Sequence, residues 1–419
     1  MKILLVSIGT RGDIEPFLAV GQILQEKDHH VVAVFPEQFR TLADESGIEF
    51  ESLGKDYIDS LESPLAKEAM GASGSRMNSL LANFKLAGQQ WTINKELVQR
   101  QFELVEKHNP DRILYNPNAT YPVLWGLHRD GKHILMSPVP FLHYVKGHAH
   151  IGFNGDFGPI INRLTYALAD FGSTVTVWIS ALWLGLTSFI GWSRMRESLR
   201  TRKVIYTISP TLYPRPEYWP ESIQVLGFHH RIPKEEWVPN EELLAFLKAN
   251  QDEKILFISF GSMTNPDPEA KTRAILEILE RNELSAIICT GSGGLVDPGG
   301  TDNAHVHFLS QVPYNWIFPR MYAVIHHGGS GTTHMALWHG CATMAVPHVA
   351  DQFAWDTIIQ EKGVGPKGIR INRIEVENLE PRILELVSKT AFKTRAEQIS
   401  SQMQNLDYRE ELYKFIIEM

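Results

Sequence analysis

The residues best placed to do chemistry stand at 326–337, where HHGGSGTTHMAL follows the apolar run MYAVI and precedes a segment of helical pattern. A glycine-rich turn between a strand and a helix leaves backbone N–H groups free at the positive end of the helix dipole, where a phosphate binds well. This stretch therefore reads as a phosphate cradle. A carboxylate follows the first glycine turn, in VSIGTRGDIEPF: Asp13. It has two readings, which can coexist. One is the N-cap of a helix, with the nearby Pro tolerated close to the helix start. The other is a general base at the carboxyl end of a strand, taking a proton from an attacking hydroxyl. A helix N-terminus favours the ionised carboxylate and so lowers its basicity. His143, His148 and His150, in PFLHYVKGHAHIG, read as packing or site histidines; their spacing could bind zinc, but no Cys or Glu completes a ligand set. The first turn carries G-x-x-G, not the G-x-G-x-x-G of a dinucleotide site, and no G-x-x-x-x-G-K-[ST] loop is present. Dehydrogenase and P-loop ATPase readings are both disfavoured.

These residues need a scaffold. Short β-rich runs (KILLVSIG, VVAVFP, RILYN, HILMSPV) alternate with amphipathic stretches such as EPFLAVGQILQEK, and ILFISFGS, SAIICTG, HVHFLS, YAVIHHG and ATMAVP repeat the pattern later. That alternation predicts α/β architecture: two doubly wound parallel-sheet domains of Rossmann-like type, facing across a cleft at the carboxyl ends of their strands. The 419-residue length also asks for two domains. The boundary is expected in the Pro-rich stretch YPRPEYWPESIQVLGFHHRIPKEEWVPNEE, giving an N-terminal domain at 1–232 and a C-terminal domain at 233–401. A net charge of -8 argues against a nucleic-acid partner. Two cysteines, Cys289 and Cys341, form no disulfide framework, and MKILLVSIG runs straight into a buried-looking strand with no cleavage site; a cytoplasmic location is expected.

HHGGSGTT, with VPYNWIFPR before it and VPHVADQFAW after it, resembles the donor-binding signature of GT-B glycosyltransferases of the sugar-nucleotide-dependent glucuronosyl/glucosyltransferase superfamily. The opening GTRGDIEPFLAVG resembles that of the sterol 3-beta-glucosyltransferase branch and its bacterial natural-product relatives. The resemblance implies that His327, Gly329, Ser330, Gly331 and Thr332 hold a diphosphate, with Gly261 and Ser262 adding a donor. It implies that Val312 offers its backbone to a pyrimidine edge near Phe308, and that Asp351 and Gln352 read sugar hydroxyls. Asp13 matches the base of the sterol branch; where other members supply a carboxylate partner to a histidine, this chain offers Asn116 and Asn118. No D-x-D is present, so no metal or cofactor is expected beyond the nucleoside-diphosphate sugar, UDP-glucose, and departing charge falls to fixed donors. The implied reaction is an inverting in-line displacement that moves a hexose to an acceptor hydroxyl. A terminal helix at about 402–419 is expected to return to the first domain.

The acceptor is signalled only by the apolar middle. Residues 171–193, FGSTVTVWISALWLGLTSFIGWS, carry no charge and read as a buried helix or the wall of a binding site, not a membrane span. Because the resemblance implies that the first domain lines the acceptor pocket, Trp178, Trp183, Phe189 and Trp192 there suggest a lipophilic alcohol such as a sterol, terpenoid, carotenoid or polyketide, with Ile14 and His143 as further acceptor-side candidates. Arg194, Arg196, Arg200, Arg202 and Lys203 behind the segment are placed for peripheral contact with an anionic membrane. The alternatives are an epimerase acting on a nucleotide sugar and a non-catalytic nucleotide-sugar or lipid-binding protein.

Overall fold

The computed structural model describes the chain except residues 63–75, 154, 189, 233–236, 262, 264, 266, 292, 300–303, 350 and 419, and leaves out the side chains of 61–89. It divides into two compact units. The first comprises Met1–Pro210, Pro214–Glu235 and Tyr408–Met419; the second comprises Thr211–Tyr213 and Glu236–Asp407. The break expected at 232/233 adjoins residues 233–236, which lie outside the described residues. The returning segment begins at Tyr408 and not near 402, because the helix Thr390–Gln404 buries Phe392, Ala396, Ile399 and Met403 within the second unit.

In the first unit the strands β1 (Lys2–Val6), β2 (His30–Phe35), β3 (Glu49–Ser52), β4 (Arg112–Tyr115), β5 (His133–Ser137), β6 (Lys203–Tyr206) and β7 (Ile223–Val225) form one sheet in the order β3-β2-β1-β4-β5-β6-β7. Every pairing is parallel. Helices cover such a sheet on both faces, so its central strands must be apolar throughout. Ile3, Leu4, Leu5 and Val6 are accordingly all fully buried. The terminal helix Arg409–Ile417 adds Leu412 and Ile416 to this core, and Arg112 and Lys203 donate to its last carbonyls, at Ile417, Phe415 and Glu418.

The second unit repeats the plan with β8 (Leu256–Ser259), β9 (Ala286–Cys289), β10 (Val306–Leu309), β11 (Ala323–His326) and β12 (Ala342–Ala345), ordered β10-β9-β8-β11-β12 and parallel throughout. In both sheets the order reverses beside the first strand, between β1 and β4 and between β8 and β11. Loops leaving adjacent strands there run to opposite faces and open a crevice, the usual ligand position in α/β sheets.

The uncharged stretch 171–193 is not one helix. A helix spans Pro159–Trp183 and stops; a second runs Trp192–Thr201. The stop is local: Gly185 takes the left-handed conformation at φ 69°, its N–H bonds Leu182 O at 3.1 Å, and the Leu186 N–H bonds Ala181 O at 2.9 Å. This paired closure satisfies carbonyls that the helix end would otherwise leave open. Among the described residues no helix is long and apolar enough to cross a membrane.

Candidate functional site

In the second unit, β11 ends at His326 and the helix Ser330–Trp338 begins after His327-Gly328-Gly329. His326 is fully buried. Its Nδ1 accepts the Gly328 N–H at 3.0 Å, which leaves the proton on Nε2 to be donated to Thr343 Oγ1, also at 3.0 Å; Thr343 in turn donates to Val324 O. His326 is therefore a neutral structural residue that shapes the turn. His327 points elsewhere. Its ring lies between two glycines: a Cβ at Gly329 would fall 2.3 Å from His327 Nε2, and one at Gly261 would fall 3.0 Å from Cε1. Side chains at 261 or 329 would displace the imidazole, so these glycines are required by the close approach.

Burial, reinforced by nearby His348, lowers the His327 pKa to about 3. At neutral pH the ring is uncharged and carries one N–H to donate. Its Nδ1 is buried with no hydrogen-bond partner, and so is Nε2 of His348, whose Nδ1–H is spent on Val346 O at 2.8 Å. Two neutral imidazoles with an unsatisfied nitrogen each thus stand beside the helix start. Sequence reasoning assigned His348 no role; its place in VPHVADQ, directly after β12, was the available signal.

The first-turn N–H groups of Ser330, Gly331 and Thr332 have no intrahelical acceptor, since the ladder begins with Thr333 N–H to Gly329 O at 3.0 Å. Ser330 and Thr332 are buried, and the space a side chain would fill at Gly331 is open. The helix Asp351–Lys362 packs against this turn, for a Cβ at Gly328 would lie 2.9 Å from Gln352 O. Gln352 Oε1 accepts the N–H groups of His348 (2.7 Å) and Val349 (3.2 Å), which fixes its amide so that Nε2 is the end left to donate. Asp351 begins that helix. Phe308 is half-buried in β10, and Val312 is buried just before the short helix Tyr314–Ile317. Ser262 lies outside the described residues. The arrangement offers a dianion uncharged donors: helix N–H groups, hydroxyls and imidazole.

In the first unit, the N-cap of the helix Arg11–Gln25 is Thr10, and Asp13 occupies the third helical position. Asp13 Oδ2 accepts the Thr10 N–H at 2.9 Å and the Thr10 hydroxyl at 3.3 Å. The N-cap reading is thereby corrected: Asp13 closes the cap from inside. Burial of the carboxyl outweighs these hydrogen bonds and raises its pKa to about 6. The helix N-terminus does not prevail, because desolvation of a charge costs more than a few aligned dipoles return. The side-chain hydrogen bonds of Asn116 and Asn118 go to Ile8 and not to Asp13. Asn116 brackets Ile8, accepting its N–H at 3.2 Å and donating to its carbonyl at 2.7 Å, and Asn118 donates to the same carbonyl at 2.8 Å. The two amides pin the β1 turn to the β4 turn and so set where Asp13 begins.

Other expected residues are placed differently. Ile14 is fully buried in the core with Phe17 and Leu18 and offers no surface to an acceptor. The His143 Nδ1 lies 2.6 Å from the Tyr206 hydroxyl, which accepts the His143 backbone N–H; its ring meets Tyr206 and Trp219 edge-on, and burial lowers its pKa to about 3. His148 stacks on Phe141, and the His150 Nδ1 accepts the Gly152 N–H. These histidines organise their loop and do not converge on a zinc site; among the described residues the ligand-like group is Glu49, Glu51 and His108, already joined by Lys107. Trp178 packs on Trp192, and Trp183 meets Trp91 edge-on at 5.0 Å. Phe189 lies outside the described residues. Arg202 is not free for a membrane, its guanidinium lying over Tyr115, and Lys203 is held by the terminal helix.

Comparison with known proteins accords with this geometry. Residues 3–110 match the glycosyltransferase family 28 N-terminal domain, and residues 301–419 match the erythromycin biosynthesis protein CIII-like C-terminal domain. A sterol 3-beta-glucosyltransferase of Arabidopsis thaliana is 28% identical over 97% of this chain. The chain spans 66% of that relative's length and 34% of a sterol 3-beta-glucosyltransferase of Saccharomyces cerevisiae, to which it is 25% identical over 96% of its own length. Among solved structures, the calicheamicin glycosyltransferase superposes with a TM-score of 0.69 at 16% identity, covering 100% of this chain and 98% of that one. A spinosyn rhamnosyltransferase complexed with thymidine diphosphate gives 0.63 at 18% identity, covering 99% of each chain. The chain is thus similar to the glycosyltransferase family 28 N-terminal domain at its start, to the erythromycin CIII-like C-terminal domain at its end and to the sterol 3-beta-glucosyltransferases over most of its length, on the GT-B fold.

Proposed function

We propose that this protein is a glycosyltransferase that moves a hexose, glucose in the first instance, from a nucleoside-diphosphate sugar to the hydroxyl of a lipophilic alcohol. The observation that carries the reading is the cradle after β11: free helix N–H groups at Ser330–Thr332, with the neutral His327 ring beside them and its Nδ1 unsatisfied. Such a set matches a diphosphate, whose charge grows as it leaves, and fixed donors stabilise that growth without reorganising. The GT-B neighbour complexed with thymidine diphosphate supports the ligand class, and the sterol 3-beta-glucosyltransferases support glucose and an apolar acceptor.

In the proposed mechanism the diphosphate sits on the Ser330 helix, Gln352 Nε2 and Asp351 hold sugar hydroxyls, and the backbone of Val312 pairs with the base. Asp13 takes the proton of the acceptor hydroxyl as that oxygen attacks the anomeric carbon. The nucleoside diphosphate departs from the opposite face, so the configuration inverts in one displacement. A carboxylate of pKa about 6 suits this work: it is mostly ionised at neutral pH yet more basic than an exposed aspartate. No metal is assigned a role, since the donors named supply the stabilisation.

The test is release of UDP from UDP-glucose with cholesterol, a triterpenoid, a flavonoid and a macrolide as acceptors, and with none. Release that requires one acceptor supports transfer and identifies the acceptor class. Equal release without acceptor, or none with any acceptor despite thermal stabilisation by UDP, counts against it.

A further inference from the structure

The helix Pro159–Trp183 is amphipathic with its faces reversed. Its buried residues are mostly polar: Asn162, Thr165, Thr174 and Ser180, beside Val177 and Ala181. Each polar group is satisfied inside. Asn162 binds Asp156 and the Phe157 N–H, Thr165 accepts the His150 N–H, Thr174 donates to Asp170 O, and Ser180 meets Thr120. The outward face carries Ile160 at 84% exposure, Ile161, Leu164, Leu168 and, at 58%, Phe171. Those positions recur at three- and four-residue spacing and form one stripe over three turns. Phe153 and Phe157, in the loop before the helix, are also exposed.

The two ends of the stripe carry aromatic and basic groups. At one end the Arg163 guanidinium lies over Tyr144, Tyr144 packs against exposed Tyr218, and the Tyr218 hydroxyl accepts the N–H of exposed Lys146. At the other, Phe171 packs against Trp192, which opens the helix bearing Arg194, Arg196 and Arg200; Asp170 ties the last two to the stripe helix. Of the Lys and Arg in residues 141–203, Arg202 and Lys203 are engaged by Tyr115 and the terminal helix; the other five, Lys146, Arg163, Arg194, Arg196 and Arg200, stand against three Asp and Glu, in a chain of net charge -8. The positive charge is therefore concentrated where the apolar surface is.

We infer that this face docks on an anionic lipid bilayer, the helix lying in the interface with Ile160, Leu164, Leu168 and Phe171 turned to the acyl chains. An apolar stripe of this kind gains by leaving water, Tyr and Trp favour the headgroup level, and arginines meet lipid phosphates. A bilayer is the occupant that satisfies both the apolar stripe and its basic ends. The surface stands apart from the catalytic reading, although it would bring the first unit to where a lipophilic alcohol dissolves.

The test is co-flotation of the full chain with vesicles of equal parts phosphatidylglycerol and phosphatidylcholine, and of phosphatidylcholine alone, at low and high salt. The wild type is expected to float with the anionic vesicles and to be weakened by salt. Ile160→Gln/Leu164→Gln/Leu168→Gln is expected to cut the bound fraction at least about tenfold, and Arg163→Gln/Arg194→Gln to weaken the salt dependence. Because these side chains face outward, thermal melts of the variants should match the wild type. UDP release with a detergent-dispersed acceptor should also be unchanged, so loss of docking and failure of the transferase reading are distinguishable. Absence of binding to anionic vesicles, binding undiminished in the triple variant, or self-association abolished by that variant in place of vesicle binding would each overturn the inference.

Discussion

Gly9→Ala is the sharpest test of Asp13 as the base, because it moves the carboxylate without changing it. Gly9 has φ 153°, and a Cβ built there falls 2.2 Å from Asp13 Oδ2 and 2.6 Å from Cγ. Restoring an ordinary carbon–oxygen separation of roughly 3.3 Å shifts the carboxylate by about 1 Å. The Thr10 N–H, now 2.9 Å from Oδ2, then loses its acceptor. A misplacement of that size costs about 10²-fold in rate. The lost cap and the strained backbone together cost about 2–3 kcal/mol of stability. The assay is kcat/KM for transfer from UDP-glucose to the acceptor found in the release screen, with UDP binding measured by calorimetry. UDP affinity should be unchanged, since the cradle lies wholly in the second unit. The expected signature is a fall in kcat/KM of about 10²-fold with donor affinity retained. A rate within twofold of wild type in a folded Gly9→Ala protein would refute the placement of Asp13 in the chemistry.

The remaining predictions concern titration and the cradle. Since Asp13 must be ionised to accept a proton and its pKa is about 6, kcat/KM should be level above neutrality and fall about tenfold per unit well below pH 6; an acid limb centred near 4 would contradict this. The raised pKa has a stability counterpart: the folded carboxyl binds its proton more tightly than the unfolded one of pKa 3.8, so the cost is full above pH 6 and relieved as pH falls towards 3.8. Asp13→Asn should therefore remove that pH dependence in urea unfolding while abolishing transfer. His326→Ala and His327→Ala should separate cleanly. The first leaves the Gly328 N–H and Thr343 without their partner and should lower stability by about 1–3 kcal/mol, read as a drop in Tm. The second should weaken UDP affinity with little change in Tm, and equal effects on both readouts would undo the division of roles. Asn116→Ala frees the Ile8 turn and should lower kcat by roughly tenfold or more without altering UDP affinity; a fall in UDP affinity alone would point away from a positioning role.

Much of the fold was legible because parallel strands buried on both faces must be apolar end to end. The runs KILLV, HVVAVF, LFIS, AIIC, AVIH and ATMA stand out for that reason. Strands β3 (EFES), β6 (KVIY) and β7 (IQV) did not: β3 and β7 lie at the edges of their sheet, where neither length nor apolarity is demanded, and β6 is a short run behind a basic helix. The cradle was legible in part. Glycines between a strand and a helix reveal where N–H groups are free, but not which histidine faces them. His326 and His327 differ by one position at a strand end, and alternation along the strand sends one into the core.

By itself, the sequence determined the two parallel-sheet units, the position of each glycine turn and the presence of a carboxylate after the first one, because all three depend on local periodicity and backbone conformation. Tertiary structure decided the rest. It set the pKa of Asp13 through burial, assigned Asn116 and Asn118 to the turn at Ile8, and placed Ile14 in the core. It also turned the polar face of the helix Pro159–Trp183 inward and its isoleucines, leucines and Phe171 outward. Hydropathy counts which side chains a helix carries; only the partners packed against it, here His150, Thr120 and the Asp156 loop, determine which of them meet water or lipid.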